Sequence, residues 1–110
     1  MDGDRTLLEK ATKAAGLHLV WNSECACYMR TDCIGTVPWN PLKNDGDALR
    51  LATALELDIT FNAFGDSEVM VSDSKDRFDG WFTEPYGTDK AAATRRAIVR
   101  AAAAIVKDPK

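Results

Sequence analysis

Residues 39–52 read Trp39-Asn40-Pro41-Leu42-Lys43-Asn44-Asp45-Gly46-Asp47-Ala48-Leu49-Arg50-Leu51-Ala52, and this stretch decides the fold. Pro41 fixes its own φ and turns Asn40 away from the helical region. The aromatic turn therefore ends at Leu42. Asn44 and Asp45 follow with side-chain oxygens that can accept from the free N–H groups at a helix start, and Asp47 suits the positive end of the helix dipole. Ala48, Leu51, Ala52 and Leu55 then recur at helical spacing and give one apolar face. The reading is a capped helix over 45–55, with Trp39 and Leu42 folded over it or over the sheet beneath.

Outward from this block the same logic assigns the remaining elements. Asp4 or Thr6 opens a first helix that Gly16 closes, with Leu7, Leu8, Ala11, Ala14 and Ala15 inward and Glu9, Lys10 and Lys13 wet. Residues 17–21 alternate as a strand, and 25–30 return as its hairpin partner. Residues 31–38 read as irregular, with a short edge strand over 34–37 as the option; Pro38 argues against a central position for it. Residues 57–61 and 68–72 form a second hairpin, with Val69 and Val71 on one face and Met70 on the other. Residues 78–83 are a short strand or a folded loop. Thr88 opens a last helix to about Val106, with Ala91, Thr94, Ile98, Ala101, Ala102 and Ile105 inward. The order is α-β-β-α-β-β-(β)-α. The expected class is α+β: a small layered α/β sandwich with a mainly antiparallel sheet of about four or five strands and three helices.

Two of these blocks carry a resemblance. "WNPLKNDGDALRLA" at 39–52 and "AATRRAIVRAAAAI" at 92–105, with the opening "LLEKATKAAGL" at 7–17, resemble the phage ABA-sandwich domain family, short and mostly uncharacterised proteins of tailed phages and prophages. The likeness spans nearly the whole chain, except residues 22–37 and 73–87. It implies a compact layered fold and a phage origin. It implies no reaction.

The chain has 110 residues, 45% of them hydrophobic and 28% charged, which suits one soluble domain over 1–110. No apolar run approaches a membrane span and no signal peptide precedes the first helix. The expected location is the cytoplasm of an infected host bacterium. A net charge of −3 argues against bulk nucleic-acid binding, which needs a positive field. It leaves room for a local anion site.

Cys25, Cys27 and Cys33 are an odd count and cannot form a closed disulfide framework. With His18, the single histidine, they make a weak Cys₃His metal candidate that lacks the usual second ligand pair; reduced thiols are the plainer reading. Asp73, Asp76 and Asp79 recur at every third residue without the rest of a calcium loop, and read as a solvated acidic loop. Arg95, Arg96 and Arg100 lie on the last helix, where a solvated face is the plain reading and a phosphate-binding fork the functional one. Trp39, Trp81 and Tyr86 lie in loops beside Gly or Pro, with Asn40 next to the first. Loop aromatics next to arginines make stacking platforms.

No nucleophile–base pair stands out, so no catalytic residue and no cofactor is expected. The reading is a non-enzymatic phage accessory protein that counters bacterial immunity, with Trp39, Asn40, Trp81, Tyr86, Arg95, Arg96 and Arg100 as the candidate ligand site and a small anionic nucleotide signal or a host protein as partner. An inhibitor or adaptor of a host enzyme, including an acidic nucleic-acid mimic, is the first alternative; a small hydrolase or metal-binding protein is the second. A homo-oligomer, a dimer or higher, is expected.

Overall fold

The computed structural model describes residues 2–16, 20–22, 27–32, 35–62, 65, 67–73, 75, 77, 78 and 80–105, with the backbone alone at 2–4, 20–22, 27, 30–32 and 35–38. Its elements run α1 (Asp2–Ala15), β1 (Val20–Asn22), β2 (Cys27–Asp32), β3 (Gly35–Trp39), α2 (Asp45–Leu55), β4 (Asp58–Phe61), β5 (Glu68–Ser72), β6 (Trp81–Pro85) and α3 (Lys90–Ile105). The α+β class, the three helices and the antiparallel pairing are as expected.

The strands divide differently from the expected sheet of four or five. They form two three-stranded antiparallel sheets, β1-β2-β3 and β4-β5-β6. Each is a meander of consecutive strands, and α2 lies in the chain between them. Both doubtful strands are present. β3 takes an edge, and there it carries Pro38 opposite Met29. β6 begins three residues later than expected and pairs Thr83 with Met70; Phe78 stays outside the strand but packs against the core.

The turn into α2 is built as its residues dictate. The Asn40 carbonyl accepts from the N–H groups of Lys43 and Asn44, and its side chain accepts from Leu42 N–H at 3.0 Å. Asn44 is the N-cap, its Oδ1 accepting from Asp47 N–H at 2.8 Å. Asp47 is buried: one carboxylate oxygen accepts from Asn40 N–H at 2.9 Å and the other from Arg50 at 2.7 Å. Turn and helix start are thus one network. Loss of a cap of this kind costs about 0.5–2 kcal/mol.

α2 closes with Glu56 in the left-handed region at φ 57°. Glu56 N–H reaches Thr53 O and Leu57 N–H reaches Ala52 O, the paired closure usually given to glycine. At the last helix the cap is Asp89, one residue beyond the expected Thr88. Its Oδ1 accepts from Ala92 N–H at 3.0 Å.

The core gathers Leu8 and Ala11 from α1, Leu51, Ala52 and Leu55 from α2, Val69 and Val71 from β5, and Ala97, Ile98, Val99, Ala101 and Ala102 from α3. α3 is the centre: it packs against α1, α2, β5 and β6. Its buried surface is correspondingly wider than the single stripe expected, and it includes Ala93, Val99 and Ala103. Alanine at these positions lets four neighbours come close. Tyr28 and Trp39 are cross-strand partners in the first sheet and both are buried in the same cluster. Trp39 is thereby a core residue, 3% exposed.

Candidate functional site

The two flanks of α3 each border a depression. Toward α2 lies a groove of about 560 Å³. Its floor is Ile59 and Phe61 of β4, its walls are Ala48 and Leu49 of α2 and Ala91, Thr94 and Ile98 of α3, and Asp45, Lys90 and Arg95 stand on its rim. Toward α1 lies a hollow of about 450 Å³, bordered by Thr6, Leu7 and Lys10 of α1, Phe82 of β6, and Arg100, Ala103 and Ala104 of α3.

The arginines are divided between these flanks. Arg95 donates from Nε to Leu42 O at 2.9 Å and from Nη1 to Asp45 at 2.5 Å, so it fastens α3 to the turn that starts α2. Arg100 lies on the other flank. Its Nη1 pairs with Glu84 and approaches Thr83 O at 3.4 Å. Its guanidinium carbon stands 5.0 Å from the centroid of the Phe82 ring, within the range of a cation–π contact. Phe78 meets the same ring edge-on, 5.3 Å between centroids. Phe82 and Glu84 are two apart on a strand, so they share a face, and Arg100 meets both. Arg96 is half-buried one turn before Arg100.

The other expected ligand residues do not converge on either depression. Trp39 belongs to the core, and Asn40 is used in the turn before α2. Trp81 opens β6 and is 55% exposed. Tyr86 is half-buried, with the Lys90 ammonium 4.8 Å from its ring centroid; its buried hydroxyl finds no hydrogen-bond partner among the described residues. Of the seven residues, Arg100 alone borders the hollow and Arg95 alone borders the groove.

The acidic loop needs a correction at its first residue. Asp73 is buried, 6% exposed, not solvated. Its carboxylate accepts from the Nε and Nη2 of Arg77 at 2.8 and 3.1 Å, and from the backbone N–H groups of Lys75 and Arg77 at 3.0 and 2.8 Å. These four donors, the Arg77 side chain first, hold the Asp73 carboxyl well below the usual carboxylate range, and Asp73 in turn raises Arg77. Arg77 also donates to Leu55 O, a carbonyl that α2 itself leaves open. Lys75 pairs with Glu56 at 2.5 Å and lowers its carboxyl. Asp76 and Asp79 lie outside the described residues, as do His18, Cys25 and Cys33; Cys27 begins β2 and its backbone alone is described. Among the described residues no group of three His, Cys, Asp or Glu side chains is placed to hold a metal ion, and no helix is long and apolar enough to cross a membrane.

Sequence reasoning missed the neighbours of Arg100. The period-two pair Phe82 and Glu84 was a readable signal, but Lys10 looked like an ordinary wet-side lysine. The exposed apolar residues Leu49 and Phe61 carried no signal, because exposure depends on where helix cover stops.

No protein-family model, no curated protein and no solved structure matches the chain. The resemblance to the phage proteins rests on the quoted blocks alone.

Proposed function

We propose that this chain is a non-enzymatic binding protein that takes a small anionic nucleotide at the hollow between α1, β6 and α3. In the setting the sequence resemblance suggests, it is a phage accessory protein in the host cytoplasm that sequesters a nucleotide signal of bacterial immunity. The observation that carries the reading is the Arg100 guanidinium stacked over Phe82 at the mouth of a hollow that also has Lys10 on its border. A guanidinium fork gives a phosphate its donors, and an aromatic face gives a base or a sugar its contact.

Glu84 competes for the same guanidinium. A guanidinium offers five N–H donors, and both contacts given for Arg100 above leave from Nη1, so the pair need not exhaust it. The hollow lies within the roughly 300–1,000 Å³ range of small-molecule sites. An acidic nucleic-acid mimic has less support, because Asp73 is withdrawn from the surface by Arg77.

Calorimetry against linear, cyclic and ADP-ribose-type nucleotides tests the reading. Heat with one of them, abolished by Arg100→Ala, is the expected result. No heat with any of them removes it.

A further inference from the structure

We infer that Phe78 is a positioning residue for the Arg100 site: clasped to the end of α2 through its neighbour Arg77, it fixes the Phe82 ring over which the guanidinium stands. The inference rests on the nucleotide reading for its ligand, but the placement of Arg100 can be measured without one.

Arg100 needs a fixed ring beneath it. A ring carries negative charge on its face and positive charge on its edge, so a cation loses its attraction when the ring turns. In a strand more than one χ1 rotamer is common, so the backbone of β6 alone does not settle how Phe82 lies. Its neighbours do. Phe78 meets it with 5.3 Å between centroids and 63° between planes, the edge-to-face arrangement that aromatic pairs favour. That arrangement is directional, so a Phe82 ring that turned away from Phe78 would also leave Arg100, 5.0 Å from its centroid.

Phe78 is itself held on both sides in the chain. Before it, Arg77 bonds through its side chain to the buried Asp73 carboxylate and to Leu55 O in the last turn of α2. The Arg77 backbone N–H donates to the same carboxylate at 2.8 Å. The main chain entering Phe78 is therefore pinned one residue away. After it, Gly80 takes φ 75°, in the left-handed region that strains any other L residue, and β6 begins at the next position. The two rings, four residues apart, both pack against the core. Phe78 is not among the residues that border the hollow, so its effect on a ligand passes through Phe82 and Arg100.

NMR of the full chain reads the placement, through the Arg100 side-chain signals that the Phe82 ring current shifts, assigned by their loss in Arg100→Ala. Calorimetry with AMP, cyclic AMP and ADP-ribose reads affinity. Phe78→Leu and Phe78→Met keep an apolar filling without a ring, Phe78→Tyr keeps the ring, and circular dichroism checks the fold of each. In the ringless variants the Arg100 signals should move toward those of an unstacked arginine, and the dissociation constant of whichever probe binds the wild type should rise about fivefold. Phe78→Tyr should restore both. A folded ringless variant that keeps the wild-type Arg100 signals overturns the inference, because Phe78 then only fills space. Signals that move while affinity stays unchanged overturn it too. Signals that move in a chain whose wild type binds no probe leave Phe78 as the residue that places Arg100, and remove the nucleotide reading alone.

Discussion

The two sides of α3 begin from the same alanine-rich helix and end with opposite chemistry. Toward α2 the arginine is consumed: Arg95 is bonded to Leu42 O and Asp45, and what remains open is apolar. Toward α1 the arginine is paired with Glu84 and stands over an aromatic ring, at a hollow that Lys10 also lines. Arg95 and Arg100 are five residues apart, a rotation of roughly 140° on an ideal helix. That rotation alone puts them on different neighbours. One guanidinium works as a fastener and the other as a candidate ligand group, and nothing in either residue type distinguishes them.

The largest effect on this contrast should come from a residue on neither flank. Asp73→Asn strips Arg77 of its carboxylate, and Arg77 holds the end of α2. We expect a loss of about 2–3 kcal/mol, the low end for breaking a buried pair because Arg77 is partly exposed, read by urea denaturation. The pH dependence follows from the sign of the shift. The folded Asp73 carboxyl lies below its unfolded value, so its contribution is complete above about pH 4 and fades as the solution is made more acidic than that. The stability gap between wild type and Asp73→Asn should therefore narrow in acid. A gap that stays constant down to low pH assigns the loss to packing instead.

The next effect separates the flanks. Arg100→Ala should lower nucleotide affinity by at least tenfold in calorimetry. Phe61→Lys, at the groove on the other flank, should leave that affinity unchanged. If Phe61→Lys weakens nucleotide binding while the fold is kept, the flanks are coupled and the contrast is wrong.

Arg95→Met tests the fastener. It removes one hydrogen bond and one ion pair that is exposed on the Asp45 side, so about 1 kcal/mol is expected in denaturation, with nucleotide affinity unchanged. The smallest effect sharpens the hollow: Glu84→Gln removes the competing carboxylate and should tighten nucleotide binding several-fold, with little change in stability. Unchanged affinity would place the ligand away from Arg100.

Much of the local structure could be read in advance because its causes are local. Pro41, Asn44 and Asp47, all within one stretch of seven residues, place the start of α2, Gly16 ends α1 at φ 73°, and Pro38 consigns β3 to an edge. The division into two sheets could not be read, since each hairpin is a local event but the pairing of one meander with another is not. Asp73 escaped for a related reason. Its partner is four residues away, in a segment without periodicity, and burial rather than spacing makes the pair matter. The tryptophans show the same limit: Trp39 and Trp81 both adjoin Pro or Gly, yet one is buried and the other largely open.

The bond from Arg77 to Leu55 O joins positions 22 residues apart. It turns the β4–β5 hairpin and its flanking turns into a closed ring of chain, stapled by a guanidinium group. In many small extracellular domains a disulfide ties such a loop and, because it survives unfolding, also restricts the unfolded chain; this clasp acts in the folded state alone. Here the staple consists of hydrogen bonds to a carboxylate and a carbonyl, so it needs no oxidant to form. Its weak point is the proton: strong acid unclips it where a thiol reductant would find nothing to cut.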